Sequence, residues 1–379
     1  MTRRIASIES FRVLAIFGVI LWHTEFLGRL QQLGGGSLLV DVTVYLVWWV
    51  CLPYFFLTAG YFFGESVRTD GKPLTQLRRY ASSLVWIFLA WLCISIVVPS
   101  NWPSAVREYG WWQPFYSEAL KNVNLLATQH VRLFLVGGLP VWHLWFLPAI
   151  MFSLATLTLL AVCRLQGYVI PLIIGLYVLA LTEEVAGGHF FSSTFHLGLW
   201  SIAILFTALG WCLTGRGQPS VPTALCLIVG GYAFALMEGA VMRAFFHSTP
   251  LAIMGHNYLG GIVLAFGIFL LILAKPHLGQ STPLPYLAQF TLGVYVSHIL
   301  VIHTLKPISS RLHGLFPLWQ FLFSLAVYFL AVLFTLVLSK VPIARYLVTR
   351  TAPGTLTQYQ DGKPMTDKNY VPDSKKNVA

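Results

Sequence analysis

The chain has 379 residues, 57% hydrophobic and 10% charged, with a formal net charge of +11. A soluble domain carries about 25% charged residues, so this composition excludes a water-soluble fold and places most of the chain in lipid. The basic excess does not point to nucleic acid, because Lys and Arg are scattered over short connecting segments and the C-terminal tail instead of forming a stripe on one domain.

A spanning helix needs about 20 apolar residues. Apolar runs of that order lie at about 10–27, 38–63, 80–99, 142–163, 168–186, 196–214, 222–242, 256–275, 285–303 and 317–339. The expected fold is all-α: a polytopic membrane protein of about ten transmembrane helices, one domain over 1–345, then a polar cytoplasmic tail over 346–379 predicted to be disordered. Arg3, Arg4 and the apolar stretch after them resemble a signal peptide, but no A-x-A-like cleavage site follows, which predicts a retained first helix. With the N-terminus inside, sixteen Lys and Arg fall on the inner side and seven on the outer, predicting both termini inside. Cys51, Cys93, Cys163, Cys212 and Cys226 lie in or beside apolar runs without a CxxC pair. Neither a disulfide framework nor a metal site is expected. No internal repeat of the kind that marks many transporters is visible.

In the first run, Arg12 and His23 are eleven residues apart. At ~100° per residue they share one helix face, ~16 Å apart along the axis. An Arg facing lipid is costly, so that face points into the protein or a wet cavity. A fixed cation inside and a titratable base further out suit an anionic cofactor and proton transfer. A snorkelling Arg and a structural His explain the same residues. Glu25 and Asp41, near the outer ends of the first two runs, could each orient His23. Gly60 would allow close helix approach. Arg78 and Arg79 could grip phosphates or simply anchor the inner face. Segment 100–141 carries Trp102, Tyr109, Trp111, Trp112 and Tyr116 and reads equally as a lid of interfacial helices or an anchoring loop. Further on, His143 and Trp145 open the fourth run, and Glu238, Tyr295 and His298 lie within apolar runs, where polar groups are costly and functional or structural.

Together these stretches resemble acyltransferase family 3, over roughly 5–340. Glu9, Arg12 and His23 match its first helix: an acidic residue three before an Arg, then ten residues, then His. The stretch FFLTAGYFF at 55–63 is similar to its FFxxSGF segment, with Ala59 in place of Ser. HLWFLPA at 143–149 is similar to its H-x-W-F-L run, and TLGVYVSHILVI at 291–302 to its late Tyr- and His-bearing helix. The resemblance implies transfer of an acyl group, most often acetyl, from cytoplasmic acyl-CoA to a hydroxyl of a cell-surface or periplasmic glycan, in the bacterial inner membrane. It implies Glu9, Arg12 and His23 as catalytic, Arg12, Arg78 and Arg79 as donor-binding, and His143, Trp145, Tyr295 and His298 as substrate-binding. One departure is that Arg78-Arg79 is followed by Ala81, Ser82 and Ser83, so the family's R-x-x-R spacing is not kept.

The mechanism this suggests is direct transfer, with His23 taking the proton from the acceptor hydroxyl as it attacks the thioester. A covalent acyl-enzyme on Ser or Thr is the variant within the class. Two rival readings are a transporter or flippase for a lipid-linked sugar, with Arg12, His23 and Glu238 lining its path, and a different multi-span acyltransferase whose base is His298. No His is followed by Asp at the H-x-x-x-x-D spacing of glycerolipid acyltransferases.

Overall fold

The computed structural model describes residues 5–136, 142–185, 197–246, 259–309, 317–342 and 344–348. Among these there is no strand. The helices are α1 (Ala6–His23), α2 (Phe26–Leu33), α3 (Leu38–Asp70), α4 (Pro73–Val97), α5 (Trp102–Tyr109), α6 (Gln113–Val136) and α7 (Phe146–Val162). They continue with α8 (Val169–Val185), α9 (Leu197–Cys212), α10 (Val221–Phe246), α11 (Leu259–Ala274), a single helical turn at Leu284–Leu287, α12 (Thr291–Ser309) and α13 (Leu318–Lys340). A helix thus occupies each of the ten expected runs. Seven of these, α1, α3, α4, α7, α10, α12 and α13, are long and apolar enough to cross a membrane. The helices α8, α9 and α11, of 17, 16 and 16 residues, are shorter, and each abuts residues outside the described ranges.

The bundle is built around α1, which packs on α3, α11, α12 and α13. Leu14, at 52%, is its one exposed residue, as expected of a helix apolar on every side. Both ends are tied by polar bonds. Ser7 Oγ donates to the Ile272 carbonyl at 2.7 Å. At the other end Thr24 Oγ1 and Ser324 Oγ are 2.7 Å apart, and Gln320 Nε2 donates to the Thr24 carbonyl. The helix stops at His23, earlier than the expected 27, because Glu25 takes φ 63° and breaks the repeat before α2 begins.

Two boundaries differ from expectation for one reason: hydropathy ignores polar helical turns. The helix α3 continues past 63 to Asp70, and α4 begins at Pro73 instead of 80. Gly71, at φ 64°, makes the left-handed exit, and Pro73 suits a first helical turn. At 33 residues, α3 is ~50 Å long against a hydrocarbon core of ~30 Å, so it projects beyond the bilayer and α4 returns beside it. Segment 100–141 contains two helices, α5 and α6, rather than an extended loop. The expected boundary at 345 falls within a short 3-10 turn, Ala344–Leu347, whose Leu347 carbonyl accepts from Trp91 Nε1 at 2.8 Å. The remaining tail, 349–379, lies outside the described residues.

Exposed apolar side chains form the outer surface, among them Trp86 and Leu89 on α4, Ile170 and Ile174 on α8, and Phe329 and Leu333 on α13. Such a surface belongs against acyl chains. Inside, α3 and α9 meet backbone to backbone. A Cβ at Gly60 would strike the Thr207 carbonyl, and one at Gly210 the Leu57 carbonyl. The close approach expected of Gly60 is present, as small residues permit between membrane helices.

Candidate functional site

Three imidazoles from three elements converge where α1 ends. His23 closes α1. His143 lies on the 3-10 turn Trp142–Trp145 before α7, and His298 on α12. Ring centres are 5.1 Å apart for His23 and His298, and 5.6 Å for His143 and His298. His143 and His298 are 5% and 0% exposed. Tyr295, one turn before His298, donates its hydroxyl to the His143 carbonyl and fixes the 3-10 turn against α12. His298 Nδ1 lies 2.6 Å from the Tyr295 carbonyl oxygen. A carbonyl only accepts, so Nδ1 carries the hydrogen and Nε2 keeps its lone pair. Among the described residues, His298 Nε2 has no hydrogen-bond partner, and the His143 ring meets the Val296 backbone. Buried polar atoms are normally satisfied, and unsatisfied ones mark places where a ligand or water completes the set. No group of His, Cys, Asp or Glu among the described residues is arranged to hold a metal ion.

Arg12 lies on the same helix as His23, eleven residues earlier, or ~16 Å. Its Nη1 is 3.0 Å from Glu9 Oε2, the two side chains being 26% and 14% exposed. The Glu9–Arg12 spacing is therefore a local ion pair beside α3, where the Tyr54 ring packs tilted on Phe11 at 4.8 Å and its hydroxyl donates to the Ile8 carbonyl. One of the five guanidinium N–H donors is engaged by Glu9.

Arg78 and Arg79 are exposed near the start of α4. Their neighbour Tyr80 packs on Phe63 of α3 at 5.7 Å. From Tyr54 to Phe63 is nine residues, ~14 Å. The arginine pair, Arg12 and the histidines are therefore strung along the bundle over ~30 Å, about the thickness of the hydrocarbon core. Trp145 does not join the histidines. Two residues along a 3-10 turn point about 120° apart, and its ring packs on Phe56 at 6.2 Å.

The three other candidate carboxylates have their own work. Asp41, 4% exposed, accepts from Arg243 Nη2 at 2.9 Å. Glu25 lies 3.9 Å from Arg29. Glu238 accepts from the backbone amides of Leu259 and Gly260 at 3.1 and 2.9 Å, capping α11.

A small cavity of about 30 Å³ opens beside His143, between α4 and α12. His303 and Ser95 line it, and sequence reasoning singled out neither. The available signal was spacing: Trp91, Ile94, Ser95 and Val98 on α4, and Val296, Ile299, Leu300 and His303 on α12, each follow i, i+3, i+4, i+7 and so mark one helix face.

A family model described as an acyltransferase domain, acyltransferase 3, matches residues 5–340. The serine/alanine racemase of Enterococcus gallinarum is 26% identical over 310 residues, or 77% of this chain and 40% of the racemase. The chain thus spans less than half the length of that relative, and its racemase activity is not carried over at that identity. No solved structure matches the chain. With nearly its whole length matched, from the first central helix to the end of α13, the chain belongs to the acyltransferase 3 family.

Proposed function

We propose that the protein is a membrane O-acyltransferase that moves an acetyl group from cytoplasmic acetyl-CoA to a hydroxyl of a cell-surface or periplasmic glycan. In this reading the chain crosses the bacterial inner membrane ten times with both termini inside. The observation that carries it is the cluster of His23 with the buried His143 and His298, the last with an unpartnered Nε2, one bilayer thickness from the exposed pair Arg78 and Arg79. Phosphates suit the exposed arginines. The thioester extends along α1 past Arg12, which Glu9 holds in place. His23 takes the proton of the acceptor hydroxyl as its oxygen attacks the thioester carbonyl carbon. The tetrahedral intermediate collapses, the C–S bond breaks, and the imidazolium returns the proton to the leaving thiolate. General-base help of this kind is worth typically ~10²–10⁴-fold. His143 and His298 offer hydrogen bonds to the acceptor, and Tyr295 positions His143. Trp145, packed on Phe56, supports the turn that carries His143.

The test is acetyl transfer by purified protein carrying His23→Ala and, separately, Arg12→Ala. Both variants should lose most of the turnover while keeping wild-type thermal stability. Wild-type turnover in both would sink the proposal. A transporter or flippase would neither bind acetyl-CoA nor cleave its thioester, so the same assay separates that reading.

A further inference from the structure

We infer that Gln320 and Ser324 of α13 are positioning residues: together they grip Thr24 and so hold the imidazole of the adjacent His23 against His298. The inference rests on the acyltransferase reading for what that imidazole does, and on the fold alone for the grip itself.

His23 occupies a weak place in its helix. It is the last residue of α1, and Glu25, at φ 63°, turns the chain away two residues later. The last carbonyls of a helix have no intrahelical partner, and such ends fray. A base that must come within ~3 Å of a hydroxyl is poorly served by a fraying turn. Here the turn is closed from outside. Gln320 Nε2 donates to the Thr24 carbonyl, and Ser324 Oγ lies 2.7 Å from Thr24 Oγ1. Gln320 and Ser324 are four residues apart and share one face of α13. They therefore hold one residue at two points, backbone and side chain, which fixes its direction as well as its place. The hydroxyls have two consistent hydrogen assignments. Ser324 donates to Thr24 and Thr24 to the Ile20 carbonyl at 2.9 Å, or Thr24 donates to Ser324 and Ser324 to the Gln320 carbonyl at 2.9 Å. Both join the two helices.

Adhesion does not require this network. Phe17 of α1 packs edge-on against Phe321 and Tyr328 of α13 at 6.1 and 5.9 Å, and Phe26 meets Phe321 at 5.7 Å. Apolar contact of this kind is non-directional. Thr24, Gln320 and Ser324 are 3%, 5% and 0% exposed. Polar groups so deep cost free energy unless matched, and their best-attested use is to specify register between helices. What is registered here is the residue beside the proposed base. His298 is held separately, by its own contact with the Tyr295 carbonyl. The grip thus governs one side of the 5.1 Å imidazole pair and leaves the other alone.

The test compares wild type with Thr24→Val, Thr24→Ser, Gln320→Leu and Ser324→Ala, each purified and placed in liposomes. Acetyl transfer from acetyl-CoA to a hydroxyl acceptor gives kcat and KM. Magnetic resonance of 15N-labelled histidine, with the His23 and His298 lines assigned from their alanine variants, gives the mobility of each ring. A misplacement of ~1 Å can cost ~10²-fold in rate. Thr24→Val and Gln320→Leu should lower kcat at least about tenfold while the KM for acetyl-CoA holds. Thr24→Ser, which keeps the hydroxyl, should recover most of that loss. The His23 line should broaden in the two damaging variants and the His298 line should not. Ser324→Ala keeps the Gln320 bond and should show the same pattern with a smaller loss, which carries the test if the other variants fail to fold. An unchanged kcat, or an unchanged His23 line, in the folded variants overturns the inference. So does broadening of both lines together, the mark of a generally loosened bundle. A wild type that transfers no acetyl overturns the acyltransferase reading instead, and the His23 line then decides the grip by itself.

Discussion

The contact between His23 and His298 makes a quantitative demand on mutant kinetics. Their ring centres are 5.1 Å apart, and His298 is held by its Nδ1 bond to the Tyr295 carbonyl at 2.6 Å, so its ring is fixed beside the proposed base. Removing a general base costs ~10²–10⁴ in rate, or roughly 3–5 kcal/mol at 1.36 kcal/mol per tenfold. Groups acting independently would multiply their losses, taking the double variant to ~10⁴–10⁸ below wild type, into background. Residues in contact couple, and groups that act as one unit are strongly non-additive. The expected result is that His23→Ala, His298→Ala and the double variant all fall within about tenfold of one another. Single-turnover acetyl transfer from labelled acetyl-CoA, with protein in excess, reads the chemical step directly. Two single losses that multiply in the double variant would refute the shared site. A His298→Ala enzyme at wild-type rate would reduce His298 to a packing residue.

Arg78→Ala and Arg79→Ala should raise the KM for acetyl-CoA with little change in kcat, and the gap should narrow as salt rises, because attraction by exposed cations is screened over ~8–10 Å at 0.1–0.15 M. Arg243→Ala leaves the buried Asp41 carboxylate without its 2.9 Å partner. It should cost about 1–3 kcal/mol, read as a lower Tm in detergent and partly restored by adding Asp41→Asn. Gly210→Leu drives a side chain into the Leu57 backbone. It should cost about 1–3 kcal/mol or more, visible as a lower Tm and loss of the monodisperse peak, whereas substitution at Gly28, where nothing lies within reach, should be tolerated.

Much of this was legible because lipid imposes a blunt rule. Every apolar run long enough to span became a helix, and Arg12 and His23, both partly buried, stood out within an apolar run. The same rule failed at Asp70 and Pro73, where polar turns continue a helix into water and hydropathy has nothing to report. Local spacing gave the Glu9–Arg12 pair, since i, i+3 neighbours meet on a helix. It could not give the partners of His23, because His143 and His298 come from positions far apart in sequence and only packing brings them together. Trp145 entered through the HLWFLPA resemblance, and its packing on Phe56 is again a contact that only the fold supplies. The partner of Asp41, Arg243, lies some two hundred residues later and was likewise beyond the reach of local spacing.

The central claim is spatial: donor phosphates at the Arg78 and Arg79 end, chemistry at the His23 end. Proteoliposomes of fixed protein orientation, with labelled acetyl-CoA on one face and a hydroxyl acceptor on the other, test it most directly. The account predicts acetyl transfer across the bilayer only when acetyl-CoA is on the Arg78–Arg79 face, whatever the concentration on the opposite face. Equal transfer with acetyl-CoA supplied solely on the His23 face would contradict it.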